Sequence, residues 1–264
     1  MPAAQLAAVC ADPRADAPRE RFADFIARSE PATAAFVRAQ LDLARRRRAA
    51  KTRDPEIERA AWSCGSPGEA HVARAYTPVV RLLSTSPTPA WAVPPAYGRG
   101  FVEACEVDGG WFALRGSELT ALAPILDVCV HRLPRDATEF FDSPALINLR
   151  SIRFAGPPLA ETQVQVLSAS PYLARLCFLD LSRMELPRAA LDALLCSNSL
   201  PSLRYLRTIG NRFPDINPTS DEEDGQVFGE IESNFAAELC AIHGPKPWLR
   251  GYSENRVPVS EAFG

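Results

Sequence analysis

The sequence predicts an α/β fold: a short solenoid of parallel strands and convex helices, preceded by a small helical module. Three observations predict it. In SPYLARLCFLDLS, residues 170–182, leucines fall at 173, 176, 179 and 181. That spacing fits neither one helix face nor a simple alternating strand. The pattern recurs at one constant step, upstream as Leu146, Leu149, Ile152 and Phe154, and downstream as Leu200, Leu203, Leu206 and Thr208, followed by Asn211. The intervening segments keep the same step, because Val164 and Leu167 map onto Leu191 and Leu194.

L-x-x-L-x-x-L-x-L followed by a helical stretch is the signature of a leucine-rich repeat, whose period lies between about 20 and 29 residues. The step from Leu149 to Leu176 to Leu203 falls inside that range. The L-x-L part is a short strand with two inward side chains. The leucines before it turn the corner into the same core. AETQVQVLSAS and PRAALDALLCSN carry apolar residues at helical spacing, and Pro187 suits the first turn of the second helix. Each unit buries its apolar edge only against the next, so the strands align as a parallel sheet. A weaker copy, LAPILDVCVHRL, places apolar residues at 122, 125, 128 and 130, at a shorter step from the next unit. About four strands result.

Around this solenoid, assigned to 97–213, the chain organises in order. Residues 1–53 form the helical module. Leu6, Val9 and Cys10 fit a first helix, Phe22, Phe25 and Ile26 a second opened by Pro18. Phe36, Val37, Gln40, Leu41 and Ala44 fit a third, opened by Pro31. Residues 54–96 are a Pro- and Ser-rich connector with one short helix near 70–83. Residues 214–226, PDINPTSDEEDGQ, read as an acidic loop without the ligand spacing of a calcium loop. Residues 227–264 supply a capping helix, on Phe228, Ile231, Phe235, Leu239 and Ile242, and a tail.

AAVCADPRADAPRERFADFIAR, followed by AFVRAQLDLAR, resembles the bacterial repeat-companion domain, a short helical module found ahead of leucine-rich repeats. The matching residues are Asp12, Pro13, Asp16, Ala17, Pro18, Arg19, Ala23, Asp24, Phe36, Arg38 and Gln40. The usual Gly-Asp-Pro-Arg-Gly-Glu link between helices two and three is replaced by SEPATA, so its glycines and charges are lost. YGRGFVEACEVDG (97–109) resembles the strand these proteins carry between module and repeats, and HGPKPWL (243–249) a common ending. The resemblance implies a ribonuclease-inhibitor-like solenoid and an interaction role in a bacterial protein. It implies no catalytic residues.

Composition sets the exclusions. The net charge is −3, with 27 Arg and only two Lys, which points to genomic base bias and away from a nucleic-acid binder. No apolar run approaches the roughly 18 residues that span a bilayer, and no secretion signal is expected at the N-terminus. Seven cysteines form no C-x-x-C pair and read as buried thiols of a cytoplasmic protein. Arg45 to Arg48, with Lys51 and Arg53, end the third helix as a solvated basic cluster, favoured by the helix dipole. The three histidines, His71, His131 and His243, sit in no pattern that flags catalysis. No metal, cofactor or enzyme motif is present.

The expected function is protein binding on the concave strand face. Alternation aligns Asp127, Ser151, Phe178 and Tyr205 in one row, and Cys129, Arg153, Asp180 and Arg207 in the next. Ile209 closes the third. Phe178 and Tyr205 are expected side by side and exposed, as anchors, with Arg153, Asp180 and Arg207 setting charge register. Two roles fit: a scaffold with several partners, or a dedicated inhibitor or immunity protein that occludes one toxin or enzyme.

Overall fold

The structure is a computed structural model and describes residues 3–49, 77–89, 95–208 and 210–211. Most of the expected connector, Ile209, the acidic loop and the C-terminal helix and tail lie outside the described residues. The fold is α/β. A six-stranded sheet runs in chain order, β1 (Ala96–Gly98), β2 (Phe101–Val107), β3 (Asp127–Val130), β4 (Ser151–Phe154), β5 (Phe178–Asp180) and β6 (Tyr205–Arg207). β1 and β2 are antiparallel, and β4, β5 and β6 are parallel. Helices α1 (Ala3–Ala11), α2 (Asp16–Ile26), α3 (Pro31–Ala49) and α4 (Thr77–Leu83) precede the sheet. α5 (Gly109–Leu122), α6 (Thr138–Phe141), α7 (Glu161–Ala169) and α8 (Arg188–Leu195) are interleaved with its strands. The chain divides into two compact units, one from Met1–Val107 and Leu114–Val128, the other from Asp108–Ala113 and Cys129–Phe263.

In the first unit, Leu6, Val9, Phe22, Ile26, Val37 and Leu41 are buried, as helical spacing requires. Phe25, expected on the apolar face of α2, is instead 59% exposed. Pro31 opens α3, whereas Pro18 sits inside the first turn of α2, which begins at Asp16. Residues 97–109 form no single strand but the β1–β2 hairpin and the start of α5. The hairpin reverses at Arg99 and Gly100, whose φ values of 47° and 84° are left-handed. Glycine adopts that region freely, but arginine does so only when its surroundings hold it there.

The holding interactions are ionic. Arg19 of α2 is fully buried and pairs with Glu103 of β2 at 2.7 Å. It donates to the carbonyls of Pro13 at 2.6 Å, Arg99 at 3.3 Å and Gly98 at 3.4 Å. Its guanidinium carbon lies 5.0 Å from the centre of the Phe101 ring. Arg99 answers from the turn, donating to the Arg14 and Pro13 carbonyls at 2.7 and 2.8 Å and to Glu103 at 3.0 Å. Two guanidiniums thus share one carboxylate and one carbonyl. A buried charge is tolerated only with such partners. The segments DPRADAPR and YGRGFVEA, far apart in the chain, meet through these contacts.

In the second unit, the repeat-defining side chains are all buried. Leu146, Leu149, Ile152 and Phe154, then Leu173, Leu176, Leu179 and Leu181, then Leu200, Leu203, Leu206 and Thr208, are at most 7% exposed. Val164, Leu167, Leu191 and Leu194 join them from α7 and α8. The weaker copy is divided between the units. Its Ile125, Val128 and Val130 are buried, while Leu122 is half-buried. Pro187 stands at the N-cap position, just outside the first turn of α8, because the helix begins at Arg188.

Hydrogen bonds recur at the repeat step. The amides of Cys177 and Phe178 donate to the Arg150 carbonyl, and those of Arg204 and Tyr205 to the Cys177 carbonyl. Ser170 Oγ donates to the Phe141 carbonyl and Ser197 Oγ to the Ser168 carbonyl, each 29 residues back. Those hydroxyls accept the amides of Tyr172 and Ser199. Each serine satisfies backbone groups of its own unit and of the preceding one, the Phe141 carbonyl among them buried.

Past each strand the chain turns at Gly156, Arg183 and Gly210, again one step apart. A Cβ at Gly156 would lie 1.6 Å from the His131 carbonyl oxygen, so no side chain fits there. Arg183 and Gly210 have φ values of 60° and 75°. Asn211 then closes the last described turn. Its side-chain amide donates to the Leu181 and Thr208 carbonyls at 2.7 and 2.9 Å, and its oxygen accepts the Leu186 amide at 3.1 Å.

Candidate protein-binding surface

The outward residues of β4, β5 and β6 stand in register. Ser151 pairs with Phe178 and Phe178 with Tyr205, while Arg153 pairs with Asp180 and Asp180 with Arg207. Between these rows, Ile152, Leu179 and Leu206 point the other way and are fully buried. The parallel ladder and the constant repeat step bring five of the sequence-predicted residues, Phe178, Tyr205, Arg153, Asp180 and Arg207, onto one face. The sixth, Ile209, lies outside the described residues.

Exposure differs from expectation. Phe178 and Tyr205 are half-buried, not fully exposed. Asp127 and Cys129 of β3, expected to extend the two rows, are buried, as is Ser151. The usable part of the face is therefore β5, β6 and the Arg153 end of β4. Half-burial holds an aromatic ring in place while leaving part of it for contact, which lowers the entropy lost on binding.

The middle row is electrostatically knit. Asp180 Oδ2 lies 3.5 Å from Arg207 Nη1, and Asp180 Oδ1 accepts the Ser182 amide at 3.0 Å. Arg207 remains half-exposed beside it. At the entry to each strand stands a further arginine. Arg150 donates to the Arg175 carbonyl at 2.8 Å, and Arg175 to the Asn148 side-chain oxygen at 3.0 Å. Arg204, at the entry to β6, is exposed. The strand periodicity does not single out these entry arginines, although Arg150 and Arg204 are two repeat steps apart.

The basic cluster of α3 behaves differently. Arg45 pairs with Glu20 and, at 3.5 Å, with Asp16. Arg48 pairs with Asp16 at 2.5 Å, and Arg46 with Asp42 at 2.7 Å. These three arginines each meet a carboxylate of α2 or α3; the side chain of Arg47 lies outside the described residues. Lys51 and Arg53 lie outside the described residues. Among the described residues no helix is long and apolar enough to cross a membrane. No protein-family model, curated protein or solved structure matches the chain.

Proposed function

We propose that this chain is a non-catalytic, cytoplasmic protein-binding scaffold of the leucine-rich-repeat type, with a repeat-companion-like helical module ahead of its solenoid. The observation that carries the reading is the register of the rows: Phe178 beside Tyr205, and Asp180 between Arg153 and Arg207. Aromatic rings bordered by arginines have the composition of interface hot spots. The recurrence of backbone and serine hydrogen bonds from one unit to the next supports a stacked-repeat architecture. The face works by shape and charge complementarity, with the rings as anchors and the charged row fixing register.

The test is affinity capture from the host lysate with wild type beside a Phe178→Ala/Tyr205→Ala variant that passes a thermal-unfolding check. A protein retained by wild type and lost by the folded variant is the expected outcome. Retention by both in equal amount would refute binding through this face.

A further inference from the structure

We infer that the occupant of this face is an acidic protein segment, whose carboxylates engage the arginines at the strand entries; the inference rests on the protein-binding reading above. The chain as a whole is net acidic, at −3. Its parallel-strand edge is the reverse. Arg150, Arg175, Arg204 and Arg207 stand on or just before β4, β5 and β6, where the one acidic side chain is Asp180. Asp180 is largely committed, being 13% exposed, paired with Arg207 and bonded to the Ser182 amide.

What holds these arginines matters more than their number. Arg150 and Arg175 are positioned by neutral oxygens, a backbone carbonyl and an asparagine amide. Among the described residues, Arg150 Nε is buried without an acceptor, and neither of these two guanidiniums meets a carboxylate. In the first unit the opposite holds, since Arg45, Arg46 and Arg48 each face a carboxylate. Preorganised guanidiniums bind carboxylates with little further loss of side-chain freedom, in charge-assisted and often bidentate bonds. The arginines of this edge flank the rings in the chain, Arg175 and Arg204 before Phe178 and Tyr205, and Arg207 after Tyr205. One partner segment placing an apolar side chain on the rings therefore brings its acidic residues to that edge.

The test uses the full chain and three fluorescent probes of equal length: an octaglutamate peptide, an octalysine peptide and a single-stranded oligouridine. Binding is read by anisotropy at about 50 and 200 mM salt, for wild type and for Arg204→Glu/Arg207→Glu, whose sites are exposed enough to spare the fold. Octaglutamate should bind wild type saturably, weaken several-fold at the higher salt, and weaken about tenfold or more in the charge-reversed variant. No preference for octaglutamate over octalysine, indifference to charge reversal, or tighter binding of oligouridine would each overturn the inference. The same variant belongs in the lysate capture. A partner lost with Phe178→Ala/Tyr205→Ala but kept at full strength with Arg204→Glu/Arg207→Glu overturns the acidic occupant and leaves the binding face standing. A partner kept by both removes the binding face itself.

Discussion

Replacing Arg19 by methionine keeps most of the buried aliphatic stem and removes the guanidinium, with its cation–π contact 5.0 Å from the centre of the Phe101 ring. The loss is the 2.7 Å pair with Glu103, the 2.6 Å bond to the Pro13 carbonyl and two longer bonds to Arg99 and Gly98. Breaking a buried ion pair costs about 3–5 kcal/mol when the remaining charge is stranded. Here Glu103 and the Pro13 carbonyl keep Arg99. The low end applies, about 3 kcal/mol. Arg99→Ala alone should cost less, about 2 kcal/mol, because losing its side-chain contacts leaves Arg19 in place, though alanine remains strained at a φ of 47°. The double variant leaves Glu103 with neither cation, so the two losses combine to exceed their sum by about 1 kcal/mol or more. Urea unfolding followed by far-UV circular dichroism measures each loss. At a typical m of about 2 kcal/mol/M, Arg19→Met should lower the midpoint by about 1.5 M. A loss under about 1 kcal/mol, or additivity within about 0.5 kcal/mol, would refute the shared-carboxylate account.

Three further outcomes are expected. Asn211→Ala strands the Leu186 amide and leaves two buried carbonyls one donor poorer, and should cost about 3 kcal/mol in the same unfolding assay. Gly156→Ala forces a Cβ to within 1.6 Å of the His131 carbonyl, so the backbone must move; a loss above about 2 kcal/mol is expected, and thermal unfolding checks it. Cys10 has its thiol pushed up to about 11, mainly by burial and against the opposing pull of Arg19. With little thiolate at pH 8, it should react with iodoacetamide about tenfold more slowly than an ordinary exposed thiol, read by mass spectrometry against Cys196. Because the fold favours the neutral thiol, the stability it contributes is intact below about pH 9 and declines as pH rises toward 11.

The repeated strands are legible because their signal is local and strict. A side chain every second position and a unit at every repeat step fix both the inward leucines and the neighbours within each outward row. How much of each outward side chain remains exposed is set by neighbours that no spacing encodes. This is why the half-burial of Phe178 and Tyr205 and the burial of Asp127 and Cys129 cannot be read from the pattern. Helix α5 escapes it because Gly109, Gly110 and Gly116 dilute the apolar periodicity. Its signal is Asp108, whose carboxylate accepts the Trp111 amide at 3.1 Å as a cap. The β1–β2 reversal has a signal in the dipeptide Arg99-Gly100. The Arg19 and Arg99 network has none, since its partners lie some 80 residues apart.

The recurring bonds have a consequence for how this chain can change in length. Ser170 and Ser197 each reach a carbonyl 29 residues earlier, and the amides entering β5 and β6 each reach a carbonyl at the entry of the preceding strand. An insertion of a few residues within a unit shifts each donor whose bond spans it off its acceptor, and within a strand it turns inward leucines outward. Duplicating or deleting one whole unit shifts nothing: each hydroxyl, amide and leucine meets the equivalent group of a new neighbour. This part of the molecule therefore has a natural quantum of growth, the single complete unit, and descendants that lengthen or shorten it by other amounts must loop the difference out between units.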